Sequence, residues 1–152
     1  MTFRPRKRFG QHWLNHPPTL QAIINAAEIK NGDRLLEIGP GMGVLTRELL
    51  NRGNPVTAVE LDRDLCVRLR KTLGERENFL LLEGDILRLN LPELLAPYPR
   101  FWPINKVVAN IPYNITGPIL ELLLGTIDQP RSRRDPLCGA PKFDCIVLLV
   151  QK

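Results

Sequence analysis

Residues 34–43 read Arg-Leu-Leu-Glu-Ile-Gly-Pro-Gly-Met-Gly, and they decide the fold of this 152-residue chain. A short apolar run enters a loop with glycine at 39, 41 and 43, and Leu45, Leu49 and Leu50 then recur at helical spacing. The pattern predicts a strand over 34–38, a tight loop, and a helix over 43–52. A dinucleotide fingerprint needs glycine at its first, third and sixth positions. Here those are Gly39, Gly41 and Val44, so the sixth fails. Glycines without a β-carbon still let a ligand approach the backbone closely.

The alternation repeats outward from that stretch. Strands are expected over 56–60, 79–83, 106–110 and 144–150. Helices are expected over 62–73, with Asp62 as N-cap, over 91–95 and over 116–126. Upstream, Pro17-Pro18 supplies a helix start, Leu20, Ile23, Ile24 and Ala27 follow at helical spacing, and Asn31-Gly32-Asp33 ends that helix as a turn. Strands apolar on both faces and alternating with helices indicate an α/β fold, a Rossmann-like doubly wound parallel sheet. The expected organisation is a basic segment over 1–16 and one Rossmann-like domain over 17–152. Residues 128–142, rich in Pro and Arg, read as a surface loop. An apolar strand directly before the last two residues, Gln151-Lys152, leaves an open edge, so the chain is expected to be a fragment cut short after its fifth strand.

The longest apolar stretches are far too short to cross a bilayer. Cys66, Cys138 and Cys145 share no metal-ligand spacing and are odd in number, which fits reduced thiols in a cytoplasmic protein. The net charge of +5 is modest, but Arg4, Arg6, Lys7 and Arg8 crowd together, and Arg131, Arg133 and Arg134 form a second cluster. Beside a base-handling motif, two such clusters point to a polyanionic partner.

In open parallel sheets ligands bind beyond the carboxyl ends of the strands. Here the first strand is followed by the glycine loop, the second ends on Glu60, the third leads to Gly84-Asp85, and the fourth to Asn110-Ile111-Pro112-Tyr113. Glu60 is placed to accept the hydroxyls of a cofactor ribose, and Asp85 to accept a hydrogen bond from an adenine amino group. The Asn110 side-chain oxygen and the Pro112 carbonyl can take the hydrogens of an exocyclic amine, and Tyr113 offers a face for stacking an extruded base. That chemistry needs no metal or covalent nucleophile, because the methyl donor it implies, S-adenosyl-L-methionine, is already activated. Taken singly, each feature has a plainer reading: a tight turn, a helix-start acid, a turn aspartate, an Asn-x-Pro turn. Their place on one rim makes the combination specific.

Lys7-Arg8-Phe9-Gly10-Gln11-His12-Trp13-Leu14, Glu37 to Gly43 with Leu45-Thr46, and Asn110 to Tyr113 together resemble the ribosomal RNA adenine dimethyltransferases, in their bacterial KsgA type. The resemblance spans nearly the whole chain. It implies a class I S-adenosylmethionine-dependent methyltransferase that dimethylates N6 of two adjacent adenines in a 3′-terminal hairpin of small-subunit rRNA during ribosome biogenesis. It further implies that His12 and Leu14 contact the cofactor, from a segment over 1–16 that closes over it. Gly39 and Gly41 would lie beside the cofactor's methionine part, Glu60 would hold its ribose and Asp85 its adenine. Asn110 would sit between cofactor and target amine, and Tyr113 would stack on the base. The expected partner is small-subunit rRNA in the pre-30S particle, bound by a cytoplasmic monomer with no membrane contact. The chain departs from the family's usual pattern at His12, where Asn is common, and at Ile111, where Leu is. Two alternatives stay open: a large-subunit rRNA adenine dimethyltransferase of the resistance type, and an inactive RNA-binding or assembly fragment.

Overall fold

The computed structural model describes residues 15–125 and 143–151. The basic clusters, His12, Leu14, Cys138 and the expected loop over 128–142 lie outside them. The chain builds α1 (Pro17–Ala27), β1 (Leu35–Ile38), α2 (Val44–Asn51), β2 (Val56–Glu60), α3 (Arg63–Leu73), β3 (Phe79–Glu83), α4 (Leu91–Leu95), β4 (Lys106–Pro112), one 3₁₀ turn (Tyr113–Ile115), α5 (Thr116–Leu124) and β5 (Cys145–Gln151). The strands form one parallel sheet in the order β3-β2-β1-β4-β5. The chain winds outward from β1 to β3, then crosses back to β4 on the other side of β1. The switch point, where such sheets bind ligands, therefore lies between β1 and β4.

Two apolar layers cover the sheet. Leu36, Ile38, Val107 and Ala109 pack on one face with Leu91 and Leu95 of α4 and Ile119 and Leu123 of α5. Leu35, Ala58 and Val108 pack on the other with Ile23 and Ile24 of α1, Leu45 and Leu49 of α2 and Leu69 of α3. Strands buried from both sides explain the continuous apolar runs of the sequence.

Helix caps follow local chemistry in one case and distant chemistry in another. The Asp62 carboxylate accepts from the Asp64 and Leu65 amides, as expected of an N-cap. α1, by contrast, ends at Ala27 rather than at the expected turn over 31–33, with Glu28 in the left-handed region at φ 43°. The reason sits on β4. Lys106 Nζ donates to the carbonyls of Ala27 (3.0 Å) and Glu28 (2.6 Å), and it pairs with Asp33 Oδ2 at 2.8 Å. A buried ammonium at a helix C-terminus satisfies carbonyls that would otherwise lack partners. Asn105 Nδ2 completes the group, donating to Asp33 Oδ1 (2.8 Å) and Asp144 Oδ2 (2.9 Å). Burial opposes ionisation of Asp33, but the bonds from Lys106, the Lys30 amide and Asn105 outweigh it and hold the carboxyl below its ordinary value.

The second correction concerns β4. The sequence suggested a strand over 106–110 followed by a turn that Pro112 pre-sets. The strand instead runs on to Pro112 and pairs with β5 throughout, Asn110 with Leu149, Ile111 with Val150 and Pro112 with Gln151. β1 stops earlier, at the Ile38–Ala109 pair. Proline's missing donor is tolerated there because it falls at the end of the strand, past the last residue of one neighbour.

Candidate active site

Glycines 39, 41 and 43 sit at φ 70°, 58° and 80°, a region that side-chain-bearing residues seldom adopt. The loop thus turns from β1 into α2 within five residues, and Gly43 serves as the N-cap of α2. A β-carbon built on Gly39 would lie 3.9 Å from the Asn110 carbonyl oxygen. The loop after β1 and the C-terminal end of β4 are therefore neighbours at the switch point.

Glu60 closes the same rim from the other side. Its carboxylate accepts the Gly41 amide at Oε2 (3.1 Å) and the Asp62 amide at Oε1 (2.9 Å), and the residue is only 4% exposed. It ties the glycine loop to the end of β2. A carboxylate has about four lone-pair directions, so a fixed Glu60 is compatible with further donors such as ribose hydroxyls. Next to it, Leu61 is 64% exposed. An apolar side chain left open between two acid-bearing strand ends can cover the face of a flat ring, and sequence reasoning passed over it. Cys66 backs the rim from α3, where burial and the charges of Glu83 and Glu60 push its thiol up to about 11. It stays a neutral thiol whose sulfur lies 3.5 Å from the Glu60 carbonyl.

Asp85 follows β3 at the turn. Its Oδ1 accepts the Leu87 amide at 3.0 Å and its Oδ2 lies 3.7 Å from Arg88 Nε. The aspartate shapes its own turn, the plainer of its two readings, and does so on the rim where the other reading also places it. Asn110 is half-buried at the C-terminal end of β4, and Pro112 and Tyr113 follow directly, Tyr113 opening the 3₁₀ turn. The structure thus gathers Gly39, Gly41, Glu60, Asp85 and Asn110 on one end of the sheet. His12 and Leu14 lie outside the described residues.

Sequence reasoning also left Glu37 without a role. It pairs in register with Ala58 and Val108, so it faces the α1–α3 layer just before the glycine loop. The residue is 2% exposed, and burial, with the Glu60 carboxylate adding to it, pushes its carboxyl up to about 8. The Thr46 hydroxyl of α2 works the other way, more than the Glu60 charge adds, yet Glu37 Oε2 and Thr46 Oγ1 are both buried without a hydrogen-bond partner among the described residues. An acid in an otherwise apolar run was the available signal.

Among the described residues no helix is long and apolar enough to cross a membrane.

A family model described as Ribosomal RNA adenine dimethylase matches residues 2–152. A Ribosomal RNA small subunit methyltransferase A of Synechocystis sp. is 69% identical over 160 residues, covering 100% of this chain and 54% of that protein. The chain spans about half the length of the curated relatives it matches. Among solved structures, a dimethyladenosine transferase from Plasmodium falciparum is 32% identical with a TM-score of 0.61, over 90% of this chain and 42% of that one. The 23S rRNA methyltransferase ErmE is 30% identical with a TM-score of 0.66, over 88% and 46%.

Proposed function

Because the chain belongs to the ribosomal RNA adenine dimethylase family, we propose that it carries the catalytic machinery for dimethylating the N6 amines of two adjacent adenines in a 3′-terminal hairpin of small-subunit rRNA, with S-adenosyl-L-methionine as donor. The small-subunit target follows its 69% identity to a small-subunit enzyme. The observation that carries the chemistry is the approach of the β1 glycine loop to Asn110, 3.9 Å from a β-carbon position to a carbonyl oxygen. It brings a backbone that admits a ligand next to the residue whose side-chain amide can orient an amine.

The cofactor supplies a methyl group on a positively charged sulfur. Gly39 and Gly41 admit its methionine part, Glu60 takes the ribose hydroxyls and Asp85 the adenine amino group. The segment over 1–16 closes this site, with His12 and Leu14 in contact. Asn110 Oδ1 and the Pro112 carbonyl accept the two hydrogens of N6, so that the nitrogen lone pair leaves conjugation with the ring. Tyr113 stacks on the target base. Positioning and fixed dipoles supply the catalysis. A monomethylated amine keeps one hydrogen, so a second transfer can use the same acceptors. We place this reaction in the cytoplasm, on the pre-30S particle, by a monomer.

Incubation with S-adenosylmethionine and unmethylated small or large subunits, followed by nucleoside mass spectrometry, tests the reading. Dimethyladenosine is expected on small subunits, and Asn110→Ala should reduce it about 100-fold, the scale of losing one oriented polar group. Dimethyladenosine on large subunits alone would move the substrate to the resistance type. Unchanged turnover in Asn110→Ala would remove the proposed role of the amide.

A further inference from the structure

The buried acid under the glycine loop has no work in the scheme above, and its surroundings give it one. Glu37 lies two residues before Gly39, about 7 Å along a strand rising 3.3 Å per residue. Among the described residues the charged group facing it is Glu60, on β2 and on the same side of the sheet. β4 offers Lys106 on that side, but its ammonium is turned to Ala27, Glu28 and Asp33. α2 offers the Thr46 hydroxyl, and the α1 side chains packed on this face are apolar. α3 brings Cys66 and Arg70, and Arg70 is paired with Glu83 at 3.1 Å. Among the described residues Glu37 therefore faces no free cation, and one of its oxygens has no hydrogen-bond partner.

We infer that Glu37 is the proton-linked counter-charge of the cofactor: protonated in the free protein, it ionises when a positively charged ligand settles over the glycine loop. The proton leaves to solvent, and the carboxylate that remains balances the positive charge of the bound ligand. The inference rests on the cofactor reading above. Free Glu37, with its carboxyl at about 8, is mostly protonated at pH 7. A unit positive charge over Gly39, about 7 Å away at an effective dielectric of about 20, favours ionisation about fiftyfold. At pH 7 that releases about 0.7 proton per cofactor bound, and it tightens binding about fourfold between pH 6 and pH 7. The cofactor's own α-amino group stays charged over that range.

Calorimetric titration of the chain with S-adenosylmethionine at pH 7, in two buffers of different protonation enthalpy, measures the released proton directly. Glu37→Gln, which copies the neutral form in shape, is the control: any contribution from His12 or His16 persists in it, while that of Glu37 disappears. The expected result is release of about 0.7 proton in the native chain and a loss of most of that release in a variant that still binds. Equal heats in both buffers for the native chain, or the same release in Glu37→Gln, would overturn the inference and leave the cofactor reading standing. No binding in either buffer would overturn both.

Discussion

Replacing Glu37 by Gln should make the protein more stable, and increasingly so as the solution becomes more alkaline. In the unfolded chain the carboxyl ionises near its ordinary value of 4.5, whereas in the folded chain it holds its proton to about 8. Between those values the folded state binds more protons than the unfolded one, so native stability falls as pH rises. The slope for one group is about 1.4 kcal/mol per pH unit. The stability gap between Glu37→Gln and the native chain should therefore widen by about 2–3 kcal/mol between pH 5.5 and 7.5. Urea unfolding followed by circular dichroism at four or five pH values measures that gap. A gap that stays flat across the interval would show that Glu37 is already ionised in the folded protein, and the account of its burial would be wrong. A variant that gains stability while losing proton release on cofactor binding would mark Glu37 as a residue kept for function at a cost to folding.

Lys106→Met should cost about 3–5 kcal/mol, because it leaves the buried Asp33 without its cation and two α1 carbonyls without a donor. Adding Asp33→Asn should recover part of that loss, and a single-variant loss below about 1 kcal/mol would contradict the role given to the ammonium. On the acid side the sign reverses. The stability that Asp33 contributes is present above its unfolded value of 3.8 and is lost as pH falls through the lower folded value, so Asp33→Asn should flatten the acid limb of a stability–pH curve. Gly43→Ala should cost about 1–2 kcal/mol from its left-handed backbone alone. It should cost more from a β-carbon 2.9 Å from Leu69 Cδ2, and thermal unfolding would read the sum. Asp62→Ala should cost about 1 kcal/mol as a lost N-cap; an unchanged midpoint would mean the cap is replaced by water.

What the sequence made legible was local. The strand–glycine–helix run over 34–43, the N-cap at Asp62 and the alternation of apolar runs each depend on residues close in the chain, and each appears in the structure. What it hid was set by partners far away. α1 ends at Ala27 because an ammonium 79 residues on reaches its carbonyls. β4 continues to Pro112 because β5 runs beside it past the end of β1. Glu37 looked like one polar residue in an apolar strand, and only the layer of helices above it shows that its carboxyl is sealed from water. The placement of Glu60 was readable from spacing, but its bond to the Gly41 amide depends on how the loop turns back toward β2.

The overhang of β4 has a mechanical consequence. From Ala109 downward the strand is clamped between two neighbours, while Asn110 and Pro112 run on past the end of β1 and, among the described strands, pair with β5. The glycine loop rests on a different footing, held to β2 through Gly39 and Glu60. Displacing β5 would move Asn110 first and leave the loop where it is, so the two sides of the rim can lose their alignment while each remains intact.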